Sequence, residues 1–114
     1  GGVAASHIAR WNGSTWSALG SGLSGGVTAV NALLRTSSGT LIAAGTFTTA
    51  GGVAASHIAR WNGSTWSALG SGISGFGVQR LVEMQNGDVV ALGNFTAAGG
   101  VPATNITRWN GSSW

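Results

Sequence analysis

The stretch GGVAASHIARWNGSTWSALGSG, residues 1–22, recurs without change at residues 51–72. A third and diverged copy, GGVPATNITRWNGSSW, occupies residues 99–114. The copies start at positions 1, 51 and 99, so the period is 50 residues and then 48. Self-similarity at this period predicts a repeat architecture, in which each unit buries its apolar surface against its neighbours.

The segments between the copies also match each other. Residues 27–50 and 77–98 align at an offset of 48, which pairs Gly45 with Gly93. The chain contains 21 glycines, scattered among Val, Ile, Leu, Thr and Trp, a composition typical of short strands joined by tight turns. Charged residues make up only 6% of the chain, so the high charge that accompanies disorder is absent.

Each intervening segment predicts an inner hairpin. In the first, we expect a strand from Val30 to Leu34, a turn at Thr36–Gly39 and a return strand from Leu41 to Phe47. The second segment turns through Gln85–Asp88, which contains Asn86-Gly87. Asn-Gly between two apolar strands indicates a type I′ turn, because both central residues of that turn have positive φ.

The repeated stretch predicts an outer hairpin, with strands His7–Trp11 and Ser14–Leu19 around a turn at Asn12-Gly13. A two-residue turn there places Trp11 opposite Ser14 and Ala9 opposite Trp16. The two indole rings would then lie diagonally on one face, close enough to touch. One inner and one outer hairpin give four strands per unit.

With four strands per unit, a glycine in the second strand and a tryptophan hairpin after it, the repeat resembles the kelch-type blade of the galactose-oxidase central-domain group. LIAAGTFTTAGG (41–52) and HIARWNGSTWSALGSG (7–22) are similar to repeats in bacterial exported proteins and fungal cortical polarity markers. The resemblance implies an all-β fold of β-propeller blades, each a four-stranded antiparallel sheet. The chain departs from the kelch pattern in having one glycine, Gly45 or Gly93, where kelch repeats carry a pair, and no tyrosine in the third strand.

On this organisation, residues 1–22 are the outer hairpin of an incomplete blade, 23–72 are one blade, and 73–114 are a second blade whose last strand is truncated. Two blades and an extra hairpin cannot close a ring, because propellers have about four to eight blades. We expect either a fragment of a longer propeller or a chain that assembles with copies of itself into a ring or filament. The likeness to exported proteins implies an extracellular or cell-surface location.

The residue types exclude several chemistries. There is no cysteine, so disulfides, thiolate metal sites and cysteine nucleophiles are excluded. The two histidines, His7 and His57, occupy equivalent positions about one unit apart, which favours a structural role at the start of a strand. The two carboxylates, Glu83 and Asp88, flank one predicted turn, an arrangement unlike a general acid/base pair. We therefore expect no catalytic site, no metal and no cofactor.

The charge distribution also argues against nucleic acid. Five arginines against two carboxylates give a net charge of +3. Arg10, Arg60 and Arg108 fall at one place in successive units and would be spread one per blade, whereas nucleic-acid binding favours a continuous basic stripe. No apolar run approaches the roughly 18 residues of a membrane-spanning helix.

The sequence therefore predicts a non-enzymatic scaffold or binding module, with carbohydrate or protein as possible ligands. A lectin-like module with one weak sugar site per blade is the alternative, because tryptophan rings stack on sugar faces and repetition adds avidity. An enzyme domain whose catalytic residues lie outside this segment is a third. Packing between blades would also explain the regular tryptophans. The candidate binding residues lie beside the outer turns: Trp11, Trp61, Trp109, Arg10, Arg60 and Arg108.

Overall fold

The chain folds entirely into β-strands and turns, as the computed structural model of residues 1–114 describes it. This confirms the all-β prediction. The chain has no helix of the length and apolarity that crossing a membrane requires. The thirteen strands are β1 (Ala9–Trp11), β2 (Trp16–Ala18), β3 (Leu23–Ser24), β4 (Val30–Arg35), β5 (Leu41–Gly45), β6 (Thr49–Ala50), β7 (Val53–Ala54), β8 (Ile58–Trp61), β9 (Trp66–Ala68), β10 (Ile73–Glu83), β11 (Val89–Ala98), β12 (Val101–Pro102) and β13 (Ile106–Trp109).

The strands form antiparallel sheets, none of which is closed. Strands β1 and β2 pair only with each other and form the N-terminal hairpin, defined here as residues 8–18. The first sheet has the order β4-β5-β8-β9, with the short β3-β6-β7 sheet beside it. In the second sheet, β11 pairs with β10 on one edge and with β12 and β13 on the other.

The first sheet is covered on both faces. Neighbouring residues of β5 point in opposite directions, so Ala43 packs with Leu19, which directly follows the N-terminal hairpin, while Ile42 packs with Val89 of the second sheet. Strand β5 is accordingly buried along almost its whole length. The molecule is thus a stack of three layers in the order N-terminal hairpin, first sheet, second sheet.

The inner hairpins turn differently from the prediction. Thr36 donates its backbone N–H to Thr40, Gly39 donates to Thr36, and Gly39 has φ of 90°. These bonds describe a three-residue loop with a glycine bulge. The loop at Met84–Asp88 has the same bonds, and there only Gly87 has positive φ. The type I′ turn predicted at Asn86-Gly87 is therefore wrong.

The predicted register of the tryptophan hairpins is also wrong. Trp11 pairs directly with Trp16, and Ala9 pairs with Ala18. The side-chain oxygen of Asn12 accepts hydrogen bonds from the backbone N–H groups of Ser14 and Thr15, at 2.9 and 2.8 Å. This side-chain bonding widens the loop to four residues, so the two tryptophans are cross-strand neighbours instead of diagonal ones.

Type I′ turns occur instead at two Gly-Gly pairs, where the sequence analysis predicted no turn. Gly51 and Gly52 have φ of 60° and 81°, and they join β6 to β7 in a tight hairpin. Gly99 and Gly100 have φ of 59° and 80° and join β11 to β12 in the same way. Two consecutive residues of positive φ suit a Gly-Gly pair.

Candidate functional site

A tryptophan pair of one unit packs on a leucine-glycine corner of the unit before it. Trp66 is 5% exposed, and its Nε1 donates to the carbonyl oxygen of Leu19 at 2.8 Å. The ring of Trp61 lies over Gly20, where an added Cβ would come within 3.3 Å of it. One unit later, Trp114 Nε1 donates to the carbonyl oxygen of Leu69 at 2.9 Å. The chain therefore builds the same interface twice.

The first tryptophan pair has no such corner to cover it. Trp11 is 51% exposed and Trp16 is 46% exposed. Their ring centroids lie 5.4 Å apart with the planes tilted by 48°. The pair Trp61–Trp66 has almost the same geometry, 5.3 Å and 52°. The hairpin itself therefore sets the arrangement of the rings, and only the neighbouring unit decides whether they are buried.

At the opposite end of the stack, the second sheet has an apolar face that no other part of the chain covers. In the first sheet, Ile58 is completely buried against the second sheet. Its equivalent in the second sheet, Ile106, is 58% exposed. We call the apolar side chains of the second sheet that point away from the first sheet the outward face. They are Val82, Val90, Leu92 and Ile106. Their equivalents in the first sheet are Leu34, Ile42, Ala44 and Ile58.

Polar contacts join the inner hairpins of the two sheets. The Nδ2 of Asn31 donates to the carbonyl oxygen of Val78 at 2.9 Å. The carboxylate of Glu83 accepts from the backbone N–H and the hydroxyl of Ser37, on the turn of the first sheet. These contacts fix the turn of one unit against the next.

A cavity of about 420 Å³ lies between the N-terminal hairpin and the inner hairpin of the first sheet. Its lining includes Arg10, Leu33, Arg35 and Trp61. Leu33 is 55% exposed, whereas its equivalent Leu81 packs against the core. The N-terminal hairpin has no inner hairpin beside it, so nothing covers Leu33.

The equivalent space between the two sheets is largely filled. The turn at Thr36–Thr40 enters it and leaves a cavity of about 170 Å³. Arg60, Glu83 and Trp109 line this smaller cavity at the positions that Arg10, Arg35 and Trp61 take in the larger one. Within the chain, therefore, the turn of an inner hairpin fills the space between two successive units.

The structure distributes the six predicted binding residues one pair per unit and does not bring them together. Among the tryptophans, Trp11 is exposed, Trp61 is half-buried and Trp109 is 8% exposed. Arg10 and Arg108 are exposed and Arg60 is half-buried. Only Arg108 has a carboxylate partner, with its Nε 3.4 Å from Asp88.

The histidines serve the backbone. His7 and His57 have φ of 63° and 65°, and their Nδ1 atoms bond the carbonyl oxygens of Leu23 and Ile73 at 2.9 and 2.8 Å. Asn105 takes the same left-handed conformation in the third copy. Each of these residues lies at a kink before a strand. Because the backbone has positive φ there, the position favours a residue type that tolerates this conformation.

Sequence reasoning missed the corners formed by Leu19-Gly20 and Leu69-Gly70, which receive the tryptophans. The signal was present in the recurring LGSG motif that follows each of the first two tryptophan hairpins.

No protein-family model, curated protein or solved structure matches this chain. Its function is therefore inferred from the two uncovered faces and from the interface that the chain repeats internally.

Proposed function

We propose that this protein is a non-enzymatic scaffold that associates head to tail with further copies of itself. The N-terminal end of one copy, which carries the exposed Trp11–Trp16 pair, associates with the second sheet of the next. The observation that carries this proposal is the contrast between Ile58, fully buried inside the chain, and its equivalent Ile106, 58% exposed at the end. The interface that the chain repeats internally has one uncovered half at each end of the stack.

The uncovered side chains contribute substantially to association. Fully burying a fully exposed side chain contributes about 1.5–3 kcal/mol, so a half-exposed one contributes about half of that. The two ends together offer Trp11, Trp16, Val82 and Ile106, each about half exposed, and their burial gives roughly 3–6 kcal/mol. Association costs roughly 4–15 kcal/mol in lost translational and rotational freedom. Because a single contact barely offsets this cost, a closed ring, in which every copy makes two contacts, is favoured over an isolated pair.

A head-to-tail contact closes into a ring when the rotation between copies allows it. We interpret the layers as propeller-type blades, the arrangement that the kelch-like resemblance implies. Propellers contain about four to eight blades. At two sheets per copy, a ring would hold two, three or four copies. The likeness to exported proteins supports a location outside the cell or at its surface.

The carboxylates support a non-enzymatic role. Glu83 is held by Ser37, and Asp88 lies beside Arg108. Neither faces a histidine, because His7 and His57 bond backbone carbonyls. A hydrolase that used these groups would need them free and converging on one space.

The test compares two substitutions of exposed apolar residues on the second sheet. Val82→Asp places a charge on the outward face, at a position of β10 that is 51% exposed in the single chain, and sedimentation velocity should show that the assembly falls to monomer. Val101→Asp is the matched control. Val101 is 56% exposed, but its equivalents Val3 and Val53 are exposed to a similar extent, 58% and 52%, so no neighbouring unit covers this position. Equal loss of assembly in both variants would contradict the proposed face.

Carbohydrate binding is a second candidate, favoured by the accessible rings of Trp11 and Trp16. Because self-association would cover the same rings, a sugar that binds there must compete with assembly. A panel of oligosaccharides should then quench tryptophan fluorescence and reduce the particle mass together. Quenching without a change in mass would separate a sugar site from the association face.

A further inference from the structure

Two segments of the chain have nearly the same sequence and suit the same strand edge. Residues 8–16, IARWNGSTW, and 106–114, ITRWNGSSW, differ only at Ala9 against Thr107 and at Thr15 against Ser113. In the second sheet, β13 pairs with β11 and sets Val90 opposite Arg108. Strand β8 pairs with β5 in the same register within the first sheet. A strand of this sequence therefore pairs with the second strand of an inner hairpin in both sheets.

Strand β1 is the one copy that lacks this pairing. It pairs with β2 and with no other strand. The edge that β8 and β13 give to β5 and β11 is free in β1. An unpaired edge of this kind presents backbone donors and acceptors to any strand of matching register.

The outer edges of the two sheets differ. The first sheet continues from β8 to β9, whereas residues 110–114 after β13 form no strand. The N-terminal hairpin carries an equivalent of β9, because β2 follows β1 and pairs with it along Trp16–Ala18. In the place of residues 106–114, this hairpin would give the second sheet the outer pair of strands that β8 and β9 form in the first.

We propose that the copies associate by strand exchange. This inference rests on the self-association proposed above and specifies its geometry. The N-terminal hairpin of one copy replaces residues 106–114 of its neighbour, so that β1 of one copy pairs with β11 of the next. The register repeats that of β13, with Arg10 of one copy opposite Val90 of the next. The displaced residues 106–114 leave the sheet.

Side-chain complementarity supports this arrangement. Exchange would place the turn at Met84–Asp88 of one copy in the cavity beside Arg35 of the next, as the turn at Thr36–Thr40 lies beside Glu83 within the chain. Within the chain, Ser37 is the donor and the Glu83 carboxylate is the acceptor. The equivalents of Ser37 and Glu83 are Gln85 and Arg35. In the exchanged assembly the guanidinium of Arg35 would donate to the amide oxygen of Gln85.

The residues equivalent to Asn31 and Val78 also support strand exchange. Asn31 donates its amide to the carbonyl oxygen of Val78 across the two sheets. Its equivalent, Gln79, is exposed and also carries an amide. In the exchanged assembly Gln79 of one copy faces Val30 of the next, the equivalent of Val78. Exchange would also bring the inner hairpin of the neighbour over Leu33, which is 55% exposed in the single chain. Face-to-face docking without exchange would leave Leu33 and Arg35 uncovered.

The chain has no cysteine, so disulfide trapping can read the register directly. Gly93 donates its N–H to Asn105, which makes the Val90–Arg108 pair a non-hydrogen-bonded one by alternation along the strands. Such pairs bring the Cα atoms to about 4.5 Å, within the range that a disulfide spans. The exchange pair is Arg10→Cys with Val90→Cys, and the control pair is Arg108→Cys with Val90→Cys.

Under mild oxidation, strand exchange predicts that the Arg10→Cys/Val90→Cys chain forms covalent multimers on a non-reducing denaturing gel. It also predicts that the Arg108→Cys/Val90→Cys chain keeps free thiols, since residue 108 has left the sheet. Covalent monomers from the control pair, within particles that light scattering shows to be oligomeric, would overturn exchange and leave self-association standing. A monomeric mass for the unmodified chain would overturn both.

A pair of substitutions at Arg35 and Gln85 provides a readout that does not depend on cysteine. Arg35→Ala should weaken the assembly severalfold, because it removes the guanidinium that faces the turn at Met84–Asp88 of the neighbouring copy. Gln85→Glu in the otherwise unmodified chain should strengthen the assembly, because a carboxylate accepts from a guanidinium more strongly than an amide oxygen does. An assembly that responds to neither substitution, in chains that remain folded, would count against the exchanged geometry.

Discussion

The indole Nε1 of Trp66 donates to the carbonyl oxygen of Leu19 at a distance of 2.8 Å, across 47 residues of sequence. Trp114 and Leu69 repeat the bond at 2.9 Å. A buried indole N–H needs a partner, and here the partner is a backbone carbonyl of the preceding unit. The bond therefore fixes how one layer sits on the next.

Replacing Trp66 by Phe should lower the free energy of unfolding by about 1–2 kcal/mol, because the carbonyl of Leu19 loses its donor and the smaller ring leaves unfilled space. Urea unfolding in the Val82→Asp background, where association is blocked, measures this loss. Trp16→Phe is the matched control, since the indole of Trp16 makes no hydrogen bond within the chain and is 46% exposed. Equal losses in the two variants would contradict the assigned role of the Trp66–Leu19 bond.

Gly45→Ala should destabilise the chain by about 3 kcal/mol through overpacking. A Cβ at Gly45 would overlap the carbonyl oxygen of Ala29, which lies in the backbone and cannot turn aside. Gly39→Ala should cost only about 1–2 kcal/mol, the strain of positive φ, because nothing lies within 4 Å of a Cβ there. Thermal unfolding of both variants should rank them in that order, and the opposite ranking would refute the close approach at Gly45.

Ser37 and Glu83 should be energetically coupled across the two sheets. The Glu83 carboxylate accepts from the backbone N–H of Ser37 at 2.9 Å and from its hydroxyl at 2.5 Å. A double-mutant cycle with Ser37→Ala and Glu83→Gln should give a coupling of about 0.5–1.5 kcal/mol. Additive effects within about 0.3 kcal/mol would mean that the bond from the Ser37 hydroxyl to Glu83 contributes nothing to stability.

The ion pair between Arg108 and Asp88 should contribute little. The side chain of Arg108 is 63% exposed, and its Nε lies 3.4 Å from the carboxylate. Exposed pairs of this kind contribute about 0.2–1 kcal/mol. Arg108→Gln should therefore change the urea midpoint only slightly, and added salt should shrink the difference further. A loss several times larger would indicate that Arg108 has a packing role.

The sequence was sufficient to predict the all-β class and the inner hairpins, because the aliphatic runs and glycine turns are strong local signals. The strand expected at Val30–Leu34 corresponds to β4, Val30–Arg35. The register of the tryptophan hairpins was wrong for a local reason, since the Asn12 side chain takes over bonds that a two-residue turn would give to the backbone. The Gly51-Gly52 turn was overlooked although its sequence favours it.

The candidate site could not be read from the sequence for a different reason. Residues 1–22 and 51–72 are identical, yet Trp16 is 46% exposed and Trp66 is 5% exposed. Local sequence sets the geometry of the rings, whereas the adjoining unit sets their burial. Only the three-dimensional stacking reveals which copy of the same hairpin is uncovered.

The most direct test of the self-association proposal is the absolute mass of the unmodified chain in solution, measured by light scattering on a sizing column. One chain has a mass of 11.3 kDa. The account predicts a single discrete species at two, three or four times that mass, unchanged on dilution through the micromolar range. A species of 11.3 kDa at every concentration would contradict it.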